Sequence, residues 1–445
     1  MKHLKFHIEW EDPKGARGDE LAATWASFRI MVGDVCVTRL SSLASSNSIR
    51  ESVQMPLYPL AEWLTFNWWH LRAEMQGASD RLGAEGIKGF RKRHNLRAAQ
   101  EGFSLPDLLI FPVSPSQMKL EWQAGYLQFQ EVRFIESGKA YCETEQVIEE
   151  LERFINAVVD RLSDREVEET VLQREWESIQ SVDHEEREYC LVAAGLGLDP
   201  YSIDDSVQEQ LIEAADKIGT GVLRDEFFAV ADGRSILQQT NELVGIFEEI
   251  DSVSHDLKGL TGIKDSLSKG IHRQDVQPWK MGYAFARGLR AQMNGHGKDV
   301  FGSHLDILKA LGLPNGVDSL IVQRDFSIPI HGAVIVNSDD LPVIALKHGE
   351  HSDQQKFNFC RGLYEFLISA KSTKRVITYA RTETQKESRA FAAELLVPSE
   401  LLKAEVAHPV LYEEDVDKIA YKYGVSSYVI RHQITNHRIA ELVSD

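Results

Sequence analysis

The sequence predicts an α+β fold divided among more than one domain. Its 445 residues exceed what one hydrophobic core usually serves. Short alternating strand patterns and long helical periods come in separate blocks, which suits α+β better than a regular β-α alternation. The composition, 43% hydrophobic and 26% charged, is that of an ordinary globular protein. The blocks suggest an α+β domain over 1–165, a helical acidic region over 166–260, and a C-terminal α+β domain over 276–445.

In the first block, LKFHIEW and FRIMVGDVCVTRL are rich in β-formers with short alternation. PLYPLAEWLTFNWWHLRAEM reads as one helix opened by Pro59 and packed through aromatics. LPDLLIFPV, MKLEWQ and VRFIESGKAYC read as strands broken by Pro, Ser and Gly. Six of the eight tryptophans precede residue 123. Clustered Trp points to core before it points to a surface for stacking bases.

From residue 144 the period turns helical. Val147, Leu151, Phe154 and Val158 share a face, and Thr144 is the expected N-cap. GLGLDP at 195–200 reads as a helix stop and turn; with no strand before it and no third Gly, it is not a dinucleotide fingerprint. The Gly- and Ser-containing stretch 258–275 is the expected connection. Beyond it PWKMGYAFARGLRAQM and DILKALGLP are helical, and DSLIVQ, GAVIVN and PVIALK are strands. KFNFCRGLYEFLI and ESRAFAAELLVPSELL return to helix.

A formal net charge of −19 opposes non-specific binding to nucleic acid, whose affinity comes from neutralised phosphates. The charge is uneven: residues 143–188 hold 16 acidic side chains against 5 arginines. Lys88, Arg91, Lys92, Arg93 and Arg97 form a basic counterpart, a candidate footprint for nucleic acid or an acidic partner. Four scattered cysteines without CxxC spacing, no apolar run long enough for a bilayer and no signal-peptide pattern predict a cytoplasmic protein off the membrane.

Residues 276–440 resemble the ImmA/IrrE family of bacterial zinc-peptidase-like proteins. The likeness rests on GYAFARGLR, a strand ending VIVN, an aromatic-led helix, FAAELLVP and YGVSSYVI, in that order. The resemblance implies a minimal zincin-like α+β domain with a helix-turn-helix-like end at 413–438. In that family the helix carries His-Glu-x-x-His. Two histidines one turn apart chelate zinc, and the Glu takes a proton from the metal-bound water.

Laid on this sequence, the family register puts Arg361 at the first histidine, Gly362 at the general base and Glu365 at the second histidine. A guanidinium has no lone pair for zinc, and glycine carries no base. The third ligand falls on Gln385 or on Glu387, depending on its spacing from Phe391. The resemblance therefore implies a vacated peptidase site with no catalytic residue and no cofactor. Arg361 is the expected plug, paired to Glu365 and Glu387.

Such a domain would act in regulation through a protein partner, in stress response, phage defence or toxin–antitoxin control. Zinc remains only in an alternative reading, a hydrolase using His348 and His351 beside Asp353 or Glu365. A third reading is a DNA-binding regulator, with Ser427, Arg431 and Gln433 on the second helix of 413–438. Cys360, beside the vacated site and without a base partner, reads as a buried thiol.

Overall fold

The computed structural model describes residues 3–12, 19–42, 48–76, 83–99, 102–127, 132–253, 259–270, 277–293, 300–313, 320–406 and 408–443. It is α+β and forms two compact units, Met1–Ile212 and Glu213–Asp445. The contacts thus divide the chain within a helix rather than in the stretch 258–275.

In the first unit β1 (Leu4–Trp10) pairs antiparallel with β2 (Trp25–Val32), and α1 (Asp19–Ala23) leads into the second strand. Along β2 the buried residues are Ala26, Phe28, Ile30 and Val32, so the period-two reading is borne out. Gly33, at φ 58°, turns the chain into β3 (Val35–Cys36). β4 (Leu40–Ser42) and β5 (Ile49–Arg50) start a second sheet, while β6 (Val53–Pro56) returns to β2.

The single helix expected next is two, α2 (Tyr58–Phe66) and α3 (Trp68–Ala73). The break falls at Asn67, whose side-chain amide donates to the Trp63 carbonyl at 2.8 Å. Such a local bond competes with helical pairing. α4 (Gly83–His94) carries most of the basic stretch. β7 (Asp107–Ser114) and β8 (Gln117–Gln123) form a hairpin, β9 (Gly125–Leu127) and β10 (Val132–Phe134) complete the second sheet, and β11 (Gly138–Glu143) flanks β8.

Helix α5 (Thr144–Asp164) buries Val147, Leu151, Phe154 and Val158, and Phe154 meets Phe6 edge-on at 5.1 Å. Its N-cap position is Glu143, not Thr144: Thr144 is already helical, with its hydroxyl buried and unpaired. α6 (Val171–Ser181) opens with a Thr170–Gln173 capping box. α7 (His184–Gly195) stops at the predicted turn, where Gly197 takes φ 75°. Trp68, Trp69 and Trp122 are buried, and Trp68 meets Trp176 edge-on at 4.9 Å. These tryptophans are core, and Trp10 and Trp63 pack against it while partly exposed.

After α8 (Asp205–Ile218), which spans the division, the second unit opens with α9 (Val222–Phe228) and α10 (Ile236–Asp251). The stretch read as a connection holds helix α11 (Gly259–Gly270), whose Leu260 and Leu267 are buried in this unit's core; residues 258 and 271–275 lie outside the described residues. α12 (Pro278–Ala291) and α13 (His304–Ala310) precede a sheet in the order β12-β14-β13-β15. Its strands are β12 (Ile321–Arg324), β13 (Gly332–Val336), β14 (Pro342–Lys347) and β15 (Thr373–Ile377), with only β12 and β14 parallel.

Helix α14 (Ser352–Ile368) lies on β13 and β14. α15 (Glu383–Leu396) packs on α12 so closely that a Cβ at Gly282 would stand 2.2 Å from the Glu387 carbonyl oxygen. α16 (Ser399–Glu405), β16 (Val410–Leu411), α17 (Glu413–Tyr423), α18 (Ser427–His437) and β17 (Glu441–Leu442) complete the unit. No helix among the described residues is long and apolar enough to cross a membrane.

Candidate vacated metal centre

Helix α14 is buried along nearly all of Lys356–Leu367, including the polar side chains Lys356, Asn358, Arg361 and Glu365. An amphipathic surface helix would place such groups in water. Here they are turned inward, and each needs a partner or a cost.

Arg361 is 3% exposed. Its Nη2 donates to the Thr378 carbonyl at 2.6 Å and to Gln385 Oε1, and its Nε donates to Ser388 Oγ at 3.3 Å. The expected ion pair with Glu365 is not formed; the guanidinium is held by neutral acceptors. Burial pushes its pKa down to about 9, with Arg389 adding to the fall and Glu365 opposing it, so it stays charged at neutral pH. Gln385 is fully committed: Oε1 also accepts from Thr378 N at 2.9 Å, and Nε2 donates to the Val376 carbonyl at 2.9 Å.

Glu365 is 1% exposed, and neither carboxyl oxygen has a hydrogen-bond partner. Burial, with Glu226 adding, raises its pKa to about 8; Arg375 and Arg361 pull the other way. It therefore sits in the fold as a neutral acid near pH 7. Glu387, one possible third-ligand position, accepts from the Tyr364 hydroxyl at 2.5 Å. At Gly362 an added Cβ would lie 2.8 Å from Ile344 Cγ2 and 3.4 Å from Ile377 Cδ1. The position faces the sheet at close range, with no room for a glutamate base.

Glu226, on α9, has no counterpart in the sequence reading. It is 4% exposed, and its Oε1 accepts from Thr382 Oγ1 at 2.6 Å. Burial raises its pKa to about 7, against the pull of Thr382, Arg361, Arg389 and Arg375. Nothing in RDEFF distinguishes it from a solvated helix acid.

Zinc does not fit this set. At the positions the resemblance implies, Arg361 is a cation bonded to a carbonyl, Gly362 leaves no space for a base, and burial favours the neutral acid at Glu365. Among the described residues no three His, Cys, Asp or Glu side chains are grouped to hold a metal ion. His348 is exposed, with Nδ1 3.7 Å from Asp325; His351 is exposed and caps α14, accepting from Asp353 N at 3.4 Å. Cys360 is wholly buried, and burial raises its thiol to about 12, far from a nucleophile.

FAAELLVP has a different role. Its Glu394, 1% exposed, accepts from Arg287 Nε at 2.8 Å, Ser399 Oγ at 2.9 Å and Gln433 Nε2 at 3.0 Å, which ties four helices together. Burial raises its pKa, but His437, with Nε2 3.4 Å from Oε2, together with Arg287 and Gln433 outweighs that and holds it down at about 2.

The expected nucleic-acid contacts are largely spent. Gln433 is 1% exposed and donates to Glu394 and to the Val397 carbonyl, so it cannot reach a base. Arg431 pairs with Glu413, and Ser427 donates to Asp417. In the other unit Arg93 is bound to the buried Glu74 through Nε at 2.7 Å, and Arg91 pairs with Asp107 at 2.9 Å. Lys88 and Lys92 remain exposed, and Arg97 is half-buried.

Residues 323–435 match the family model of the IrrE N-terminal-like domain. The match runs from β12 to near the end of α18, so it contains Arg361, Gly362, Glu365 and FAAELLVP but not Glu226. No curated protein matches the chain.

Proposed function

The C-terminal domain being ImmA/IrrE-like, we propose that this protein is a non-catalytic pseudopeptidase, a binding or regulatory protein that works without zinc. The observation that carries the reading is the Arg361 guanidinium, buried and hydrogen-bonded to the Thr378 carbonyl where a metal-binding histidine would stand. A cation fixed there repels a second one, and it supplies none of the water activation that metal gives.

A protein partner is favoured over DNA by the surface of α17 and α18. Tyr421, Tyr428 and Tyr412 are 91%, 68% and 53% exposed. Tyr412 directly precedes the acidic first turn of α17, Glu413, Glu414 and Asp415. Exposed tyrosine suits protein contacts, whereas clustered acid opposes phosphate. The resemblance that carries the domain also suggests the setting: bacterial stress response, phage defence or toxin–antitoxin control.

The test is metal content and peptide hydrolysis on one purified preparation, with and without chelator. We expect substoichiometric zinc and no chelator-sensitive cleavage. Stoichiometric zinc with chelator-sensitive hydrolysis would overturn the reading.

A further inference from the structure

We infer that helix α9 is a charge-latched cover over the vacated site, held while Glu226 is protonated and released when it ionises. The inference rests on the site being held by side chains rather than by metal. The matched domain begins at residue 323, so α9 is an addition to it that reaches its centre.

The hydrogen-bond inventory around Glu226 carries the argument. Oε1 has the Thr382 hydroxyl, but Oε2 is buried with no partner. The neighbouring Glu365 leaves both of its oxygens buried and unpaired. Three orphan carboxyl oxygens in one site are an exception to the near-complete pairing of buried polar atoms.

The surrounding cations are engaged elsewhere. Arg361 on α14 bonds Thr378, Gln385 and Ser388, as described above. Arg375 on β15 donates to Ser369 Oγ at 3.0 Å, and Arg389 on α15 donates to the Ala380 carbonyl at 2.8 Å. Glu387 and Glu365 add negative charge from α15 and α14. On α9 itself Arg224 lies 3.9 Å from Asp225. An ionised Glu226 would thus have one hydroxyl donor and no guanidinium bonded to it. Buried charge without a bonded partner is costly, whereas the neutral acid is tolerated.

What would leave is small and well defined. α9 packs against β15, the last strand of its sheet. It is fixed by buried Phe227, Phe228 and Val230, and the Tyr379 hydroxyl donates to the Val230 carbonyl at 3.4 Å. One short helix over an edge strand is a natural unit of local opening. Burial places the Glu226 carboxyl at about 7, so the transition falls in the neutral range.

Hydrogen exchange on the full chain tests this, comparing pH 6 with pH 8.5 after correction for intrinsic rates. Protection of 222–231 and 373–382 should fall at least about tenfold, as linkage of one ionisation to opening requires, while α12 stays unchanged. Glu226→Gln keeps the acceptor for Thr382 and removes the charge; Glu226→Met removes both. Either should hold the cover at pH 8.5. Unchanged protection in the parent, or a fall that persists in both variants, overturns the latch. So does failure of both neutral variants to fold, because the neutral form is the one the fold is argued to hold. Zinc measured on the same preparation separates the two readings. Metal-loaded protein sinks the proposed function, whereas metal-free protein with pH-independent exchange sinks the latch alone.

Discussion

Replacing Glu365 by glutamine should make the protein more stable above about pH 4.5, by a margin that grows until about pH 8. The residue is 1% exposed with both oxygens unpaired, and burial lifts its pKa from the ordinary 4.5 to about 8. Between those values the folded protein holds a proton that the unfolded chain has released. Stability contributed by that proton is full below about pH 4.5 and is lost as pH rises through the folded value. Each unit in the window costs about 1.4 kcal/mol. From pH 5.5 to 8 the parent should therefore lose about 3 kcal/mol at this site alone. Glu365→Gln keeps the shape and cannot ionise, so its stability should stay nearly flat over the same range. Urea unfolding at several pH values, monitored by tryptophan fluorescence, gives both curves. Parallel curves for parent and variant would refute the reasoning and place the carboxyl in contact with water or a donor.

Other perturbations separate the remaining features. Arg361→Ala removes three hydrogen bonds and leaves a cavity and a buried carbonyl, so it should cost about 3–5 kcal/mol. Arg361→Met fills the space without charge and should cost far less; equal losses in thermal unfolding would show that charge, not volume, matters there. Gly282→Ala drives a methyl against the Glu387 carbonyl and should cost about 3 kcal/mol or more by overpacking, read as a lower denaturant midpoint. Glu394, held down at about 2, contributes stability above about pH 4.5 that is lost as pH falls towards 2. Glu394→Gln should therefore lose about 2–3 kcal/mol at pH 7 and little near pH 2. In fluorescence anisotropy with duplex DNA, Arg431→Ala and Gln433→Ala should leave the signal unchanged, because neither side chain is free to bind.

The α+β class and the core faces were legible because they depend on period. Ala26, Phe28, Ile30 and Val32 alternate, and Val147, Leu151, Phe154 and Val158 recur at helical spacing, whatever else the chain does. The helix α14 and the motif around Glu394 were likewise legible in order and spacing. Partners within the site were not. A pair of opposite charges at 361 and 365 reads as an ion pair, yet the guanidinium turns to Gln385 and a carbonyl, and the acid is left neutral. Burial decides this, and burial is a property of elements brought together from distant sequence. Glu226 shows the same limit: only packing of α9 on β15 brings it to the site. The break at Asn67 and the helix within 258–275 were missed for a local reason, since side-chain capping and a few buried leucines outweigh turn-like composition.

Lys356 opens the buried run of α14, and its ammonium donates to the carbonyls of Phe301 at 2.8 Å and Tyr423 at 3.2 Å. The second of these lies in the last turn of α17, just before Gly424 at φ 57°. A cation there complements the helix dipole and closes an orphan carbonyl. The terminal helices are consequently no detachable appendage: cutting the chain at 412 would leave the buried ammonium with the Phe301 carbonyl as its one bonded acceptor of the two. A rearrangement of α17 that moved the Tyr423 carbonyl would change the bonding of Lys356. Arg361 lies five residues further along the same helix, about one and a half turns away.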